Sequence, residues 1–183
     1  MIRQPQNTRR LFIGFKLPKN DIETSEKVLN ELNDLGIKNR TKLENLHFTL
    51  CFLGNQTIDR SFDLIKIFEN QNFKYDNLIL KFNKIEVKYS QKKAMLWANY
   101  LANEELKKLF EEVHKLFEIK PTHKFNPHIT FCRTRIDQNF INIHNFNHFK
   151  FSDFNPNELC LFESKITKKG VQYELLSKQK FKK

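Results

Sequence analysis

Two short stretches decide the fold: residues 45–51 read NLHFTLC and residues 126–132 read NPHITFC. They agree at Asn, His, Thr and Cys, and the apolar residues between these positions give the alternation of a half-buried β-strand. Residues i and i+2 of a strand point to the same face, so each stretch should present its His and Thr together. The apolar residues between them should enter the core. We therefore expect two similar strands, each with one titratable ring and one hydroxyl on a common surface.

The segments around these two strands recur in the same order. The first unit comprises a strand at 10–15, a helix from about 21 to 36, a strand at 46–53 closed by Gly54-Asn55, a helix at 57–69 and a strand at 78–87. The second unit comprises a strand at 94–100, a helix at 103–117, a strand at 127–132 and a strand at 158–166. Residues 58–62 (IDRSF) also match residues 136–140 (IDQNF), and residues 167–170 form a plausible hairpin turn. We interpret this as an internal duplication, and expect one α+β domain over residues 1–183 with two lobes and a cleft between them.

If the pseudo-symmetry brings both motifs across one cleft, the site holds the imidazoles of His47 and His128 and the hydroxyls of Thr49 and Thr130. Imidazoles give and take protons near neutral pH, and hydroxyls can donate to non-bridging phosphate oxygens. A cyclic phosphate needs a water activated on one side of phosphorus and the departing sugar oxygen protonated on the other. The pattern therefore predicts phosphodiester chemistry by two histidines, with no metal and no cofactor.

The sequence resembles the 2H phosphoesterases, which are marked by two His-x-Thr/Ser segments, and within them the RNA 2′,3′-cyclic phosphodiesterases, also called 2′-5′ RNA ligases. The resemblance rests on residues 47–54 and 127–133 as the two motifs, on residues 10–13 and Leu96-Trp97 as further strands, and on residues 161–164 with Gly170 and Tyr173 as a closing hairpin. It implies a bilobal fold of two pseudo-symmetric lobes, each with an antiparallel sheet flanked by helices, and a product carrying a 2′-phosphate. It also implies His47 as the acid and His128 as the base.

The same resemblance extends to Phe52 and Arg133, which each lie five positions after a motif histidine. In this family these positions hold an aromatic ring that contacts the base and an arginine near the phosphate. Strict strand alternation would send both side chains to the face opposite the histidines. They reach the cleft only if the strand ends or twists at that point.

Composition favours an anionic partner, because Lys and Arg total 32 against 21 Asp and Glu, a formal net charge of +11. RNA or a nucleotide with a 2′,3′-cyclic phosphate is the expected partner, although a basic surface without any ligand would have the same composition. Cys51, Cys132 and Cys160 each lie in an apolar strand, which is typical of reduced, buried thiols in a cytoplasmic protein. No stretch approaches the roughly 18 apolar residues of a membrane span. We expect a monomer with no membrane contact and no obligate protein partner.

Other readings of the sequence stay open. His123, His128 and Cys132 could be written as zinc ligands, but they lack a paired ligand spacing. His114, His144 and His148 are expected in surface or structural roles. The main alternatives for function are a module that binds a nucleotide or RNA end without turnover and a phosphodiesterase acting on 2′-5′ or 3′-5′ oligonucleotides. Any ligation of 2′-5′ ends would be the hydrolytic chemistry run backwards.

Overall fold

The computed structural model describes residues 7–90, 93–135, 146–168 and 170–182. In chain order the elements are β1 (Thr8–Lys16), α1 (Ile22–Asp34), β2 (His47–Thr57), α2 (Ile58–Glu69), β3 (Leu80–Ser90), β4 (Lys93–Ala102), α3 (Glu104–Leu116), β5 (His128–Arg135), β6 (Glu158–Thr167) and β7 (Gly170–Lys180). The expected α+β class is confirmed. The expected match between residues 58–62 and 136–140 cannot be followed into the fold, because residues 136–145 lie outside the described residues.

The strands form two antiparallel sheets. The first has the order β2-β1-β6-β7 and the second has the order β3-β4-β5. Sequence neighbours β3 and β4 pair along their length, as do β6 and β7. Each motif strand, β2 or β5, is the terminal strand of its sheet in this order. The two sheets are the two lobes of the expected bilobal fold.

The duplicated units exchange their last strands. The first unit contributes β1, β2 and β3, and the second contributes β4, β5 and β6, yet β3 pairs with β4 and β6 pairs with β1. After this exchange the order β2-β1-β6 in one sheet corresponds to β5-β4-β3 in the other. Neither unit completes its sheet without a strand from the other, and for this reason we propose that residues 1–183 fold as a single domain.

The sheets meet through large aromatic side chains beneath the cleft. Phe48 of β2 lies edge-on to Tyr100 of β4 with ring centroids 4.8 Å apart, and it stacks on Phe154 at 5.8 Å. Phe48 and Tyr100 are each about 1% exposed. The Tyr100 hydroxyl donates to Asp21, whose other carboxylate oxygen accepts from the backbone N–H of Ser152. The contact between Phe48 and Tyr100 ties the first motif strand to the middle strand of the other sheet.

The expected end of the first motif strand at Gly54-Asn55 is wrong, because β2 continues to Thr57. Gly54 has a φ of 77° and lies opposite Leu11, while Phe52 lies opposite Phe12, so Leu53 is an extra residue in the ladder. A glycine with positive φ is the usual first residue of one class of β-bulge. The glycine therefore kinks the strand without ending it.

Gly14 of β1 generates a prediction about stability. It lies opposite Thr49 of β2, and a Cβ atom placed on it would come within 2.0 Å of the Phe48 carbonyl oxygen. Because that neighbour is backbone, the two strands would have to separate to accommodate a methyl group. We expect Gly14→Ala to lower the free energy of unfolding by about 1–3 kcal/mol, measured by urea denaturation.

The matched control is Gly54→Asn. Gly54 has no atom within 4 Å of a built Cβ, and asparagine tolerates its positive φ better than most residues. Its unfolding midpoint should fall less than that of Gly14→Ala, because the side chain meets no neighbour and only the strain of the positive φ remains. A Gly14→Ala protein as stable as the wild type would contradict the close approach of β1 and β2.

Candidate active site

The two motif strands face a cleft of about 1330 Å³ between the lobes. His47, Thr49, His128 and Thr130 all line it, as the alternation in sequence predicts. The apolar residues between them are buried: Phe48 and Leu50 are 1% and 3% exposed, and Ile129 and Phe131 are fully buried.

A β-bulge at the same place in each motif brings two further side chains to the cleft. In β2 the ladder to β1 skips Leu50, and in β5 the ladder to β4 skips Phe131. Two consecutive residues of each strand are therefore buried, the second being Cys51 or Cys132. An inserted residue reverses the alternation beyond it. Phe52 and Arg133, which strict alternation would send away, consequently line the cleft.

The His47 ring is held by hydrogen bonds at both nitrogens. Its Nδ1–H donates to the backbone carbonyl of Asn45 at 2.7 Å, and its Nε2 lies 2.9 Å from the Thr49 hydroxyl. Phe12 and Tyr173 pack against the ring with centroids 4.8 and 4.9 Å away. Burial lowers the pKa of His47 to about 4; the bond to Asn45 opposes this shift, and the nearby His128 and Arg133 add to it.

His128 is held in the same way at Nδ1 but lies in different surroundings. Its Nδ1–H donates to the Asn126 carbonyl at 2.8 Å. The ring stacks on Trp97, with centroids 3.7 Å apart and planes 17° from parallel. Burial lowers the pKa of His128, the bond to Asn126 raises it, and Arg133 lowers it. Glu86 on β3, which is separated from β5 by β4, raises this pKa, and Lys88 on the same strand lowers it.

Both histidines therefore carry their proton on Nδ1 when neutral, which leaves Nε2 of each ring for proton exchange. In each motif this tautomer is fixed by the backbone carbonyl of the Asn two positions before the histidine. The Asn45 side chain also binds the closing hairpin, donating to the Val171 carbonyl and accepting from the Tyr173 N–H. The Asn126 side chain accepts from Asn99 at 2.7 Å. The shared Asn of the two motifs thus anchors each histidine to its own lobe.

The cleft is electropositive. Five cationic side chains line it and, of the described residues that line it, none is acidic. These cations are Arg10, Lys38, Arg40, Lys42 and Arg133. Arg133 lines the cleft together with both histidines and Tyr173, and its charge lowers the pKa of all three. A bound anion would be attracted to the cleft.

The sequence predicts six site residues, and all of them line the cleft: His47, Thr49, Phe52, His128, Thr130 and Arg133. It does not predict the aromatic side chains that pack against the two histidines. Trp97 under His128, and Phe12 and Tyr173 around His47, were assigned to strands without a place in the cleft. The sole Trp of the chain and the Tyr after the hairpin glycine were the available signals. The corresponding strand positions differ between the lobes: Trp97 pairs with Thr130, whereas Gly14 pairs with Thr49. The pseudo-symmetry is therefore broken directly beside the histidines.

The remaining histidines and cysteines lie apart from one another. Within the described ranges no three His, Cys, Asp or Glu side chains form a group that could hold a metal ion. His123 lines the cleft with His128, but Cys132 is buried. His114 is largely buried and bonds the Phe110 carbonyl, as expected for a structural role. His148 lies near Glu31 at the surface, and His144 lies outside the described residues.

No helix in the described part of the chain has the length and apolar character that a membrane crossing requires.

Comparison with known proteins points to one family. The model of the LigT like Phosphoesterase family matches residues 101–173. An RNA 2′,3′-cyclic phosphodiesterase of Aquifex aeolicus (strain VF5) is 28% identical, over 91% of this chain and 94% of that protein. A protein of the same name from Methanocaldococcus jannaschii is 26% identical, over 91% of this chain and 98% of that protein. The crystal structure of E. coli LigT in apo form has a TM-score of 0.71 at 16% identity, covering 97% of this chain and all of that one.

The buried His47 generates a prediction about pH. Its pKa is about 4 in the folded chain against an ordinary value of 6.5. Between these values the unfolded chain binds a proton that the folded chain does not, so lowering the pH from about 6.5 to 4 favours unfolding. We expect His47→Gln to remove about 1–3 kcal/mol of this acid destabilisation, measured by urea unfolding at several pH values.

The control for this experiment is His123→Gln, which removes an exposed histidine at the same cleft. Its curve of unfolding free energy against pH should run parallel to that of the wild type. If the His47→Gln curve is parallel as well, His47 is not held neutral by burial.

Proposed function

We propose that this chain, which is similar to the LigT-like phosphoesterases, is a 2H phosphoesterase that hydrolyses 2′,3′-cyclic phosphodiester ends of RNA or nucleotides to 2′-phosphates. The observation that carries this proposal is the pair of histidines with the same tautomer in one cationic cleft. Two curated relatives that align over nine-tenths of the chain bear the name of this activity.

The chemistry needs two proton transfers on opposite sides of phosphorus. Water attacks phosphorus as one neutral imidazole accepts its proton at Nε2. The bond from phosphorus to the 3′-oxygen breaks, and the other ring, protonated at Nε2, gives its proton to that oxygen. The product carries a phosphate on the 2′-oxygen, and each histidine has exchanged its protonation state. Water enters as the only co-reactant, and the same steps run backwards would join a 2′-phosphate to a hydroxyl.

The other cleft residues stabilise charge and hold the substrate. We assign Thr49 and Thr130 to the non-bridging phosphate oxygens, which become more negative as water adds. Arg133, which lines the same cleft, compensates this charge. Phe52, at 58% exposure, presents a free aromatic face on which a nucleobase can stack.

We assign the acid to His47 and the base to His128. The His47 pKa of about 4 means that this ring is neutral in the unoccupied cleft at neutral pH. Burial is the main cause of this low pKa, and Arg133 adds to it. A bound phosphate anion opposes both effects, because it attracts the protonated ring and offsets the charge of Arg133. A proton held by a ring in apolar surroundings is given up readily to the departing 3′-oxygen. His128 supplies the neutral Nε2 for water.

The three free cysteines are buried, which supports a reducing cytoplasmic setting. We propose that the chain acts as a monomer without an obligate protein partner, because all the groups assigned above come from one chain.

The proposal predicts that His47→Ala and His128→Ala each lower kcat on a nucleoside 2′,3′-cyclic phosphate by about 10²–10⁴-fold, the usual contribution of a general acid or base. Activity should survive excess chelator, since both proton transfers are assigned to side chains. His148→Gln is the matched control and should retain wild-type activity. Loss of activity in chelator with recovery on adding zinc would overturn the two-histidine mechanism.

The assignment of acid and base predicts the response to a substrate with sulfur in place of the 3′-oxygen. A thiolate leaves with little protonation, so loss of the acid should matter much less than loss of the base. We expect this substrate to restore most of the kcat of His47→Ala and little of that of His128→Ala, measured by thiol release. Rescue of His128→Ala alone would reverse the two roles, and rescue of neither would indicate that both rings chiefly bind phosphate.

A further inference from the structure

A basic ridge, residues 38–42, extends the cleft beyond the reacting groups. It follows α1 and reads Lys38-Asn39-Arg40-Thr41-Lys42, and all five residues line the cleft. Three of the five are cations at alternate positions. The two-histidine chemistry does not use them, and a charge pattern in the sequence does not distinguish such a segment from ordinary solvated loop.

The fold fixes the ridge against the second motif strand. The Thr41 N–H donates to the Phe131 carbonyl at 2.7 Å, and the Arg133 N–H donates to the Asn39 carbonyl at 3.1 Å. Arg40 forms an antiparallel bridge with Cys132. The ridge thus adds a short strand to the side of β5 that does not pair with β4. A segment from the first unit is in this way held in place by the second.

The backbone bond between Asn39 and Arg133 makes the cationic surface continuous. Arg133 lines the cleft together with both histidines, and Asn39, whose carbonyl accepts from the Arg133 N–H, lies between Lys38 and Arg40 in the ridge. The cations of the ridge and Arg133 therefore line one cleft, and their backbones are hydrogen-bonded to each other.

These cations are available to a ligand to different degrees. Lys38 is exposed and, among the described residues, makes no ion pair. Lys42 is 3.9 Å from the exposed carboxylate of Glu44, a contact worth little in water. Arg40 donates to the Ile37 carbonyl and is half-buried. Lys38 and Lys42 are the better probes, because Arg40 also serves the local backbone.

We propose that the basic ridge, through Lys38 and Lys42, binds the backbone phosphates of the nucleotides that precede the cyclic end, so that the reaction becomes faster as the RNA strand becomes longer. This inference rests on the proposed function of the cleft. The cleft volume of about 1330 Å³ exceeds the roughly 300–1,000 Å³ of typical small-molecule sites. A nucleoside 2′,3′-cyclic phosphate carries no phosphate besides the reacting one, whereas a strand carries one on the 5′ side of the terminal ribose and of most ribose units before it, and the ridge offers cations in the same cleft to bind them.

The test compares adenosine 2′,3′-cyclic phosphate with a tetranucleotide that ends in the same cyclic nucleotide. We expect the wild type to have a higher kcat/KM for the tetranucleotide, by about tenfold or more, with the ratio falling as salt rises. The Lys38→Glu/Lys42→Glu variant should have about the same kcat/KM for both substrates. The charge-matched control Lys81→Glu/Lys120→Glu alters two exposed lysines that do not line the cleft, and it should keep the ratio.

A binding measurement separates this inference from the proposed function. Fluorescence anisotropy of a labelled tetranucleotide ending in a 2′-phosphate needs no turnover. The Lys38→Gln/Lys42→Gln variant removes both charges without reversing them, so it remains informative if the Lys38→Glu/Lys42→Glu variant does not fold. It should weaken binding and reduce the slope of log Kd against log salt by about 0.7 per lysine. If neither substrate is cleaved but this loss of binding occurs, the proposed function is wrong and the proposal that the ridge binds RNA is supported. Equal kcat/KM of the wild type for the two substrates, or equal losses of binding in the ridge and control variants, would overturn the proposal that the ridge binds RNA.

Discussion

The cleft depends on a constraint of β-structure, which is that successive side chains of a strand point to opposite faces. His47 and Thr49 obey it, and so do His128 and Thr130. With regular pairing, the residues five positions after each histidine would point away from the cleft. One inserted residue in each strand, Leu50 or Phe131, changes this by turning the rest of the strand over. The same bulge buries two consecutive residues on the core side, so the cleft gains Phe52 and Arg133 while the bulge residues and the cysteines after them stay in the core.

The two halves of the cleft are alike in backbone and different in environment. Each histidine donates through Nδ1 to the carbonyl of an Asn two residues earlier, so both expose the same nitrogen for proton exchange. His47 lies among Phe12 and Tyr173, whereas His128 lies flat on Trp97. Two groups that must act as acid and base cannot remain equivalent, and this difference in packing gives the proposed roles a physical basis.

The interlocked topology explains how one cleft can be built from both units. Exchange of β3 and β6 makes each sheet a joint product, and the basic ridge of residues 38–42 repeats the theme by pairing with β5. Asn45 binds the hairpin at Val171 and Tyr173, which come from the far end of the chain. Segments distant in sequence therefore hold the two histidines, and their relative position is set by backbone hydrogen bonds and by the buried side chain of Asn45.

The sequence alone determined the alternating strands, the duplication and the two His-x-Thr pairs, because these features are written in local periodicity. It also indicated the α+β class and, through the net positive charge, a preference for anionic partners. Only the tertiary structure decided which strands pair, where the bulges fall, and that Trp97 lies beneath His128 while Gly14 occupies the corresponding place beside Thr49. Such features depend on contacts between residues far apart in the chain. A local pattern such as Lys38-Asn39-Arg40-Thr41-Lys42 is the same whether the segment lies in solvent or, as here, hydrogen-bonded along β5 beside the reacting groups.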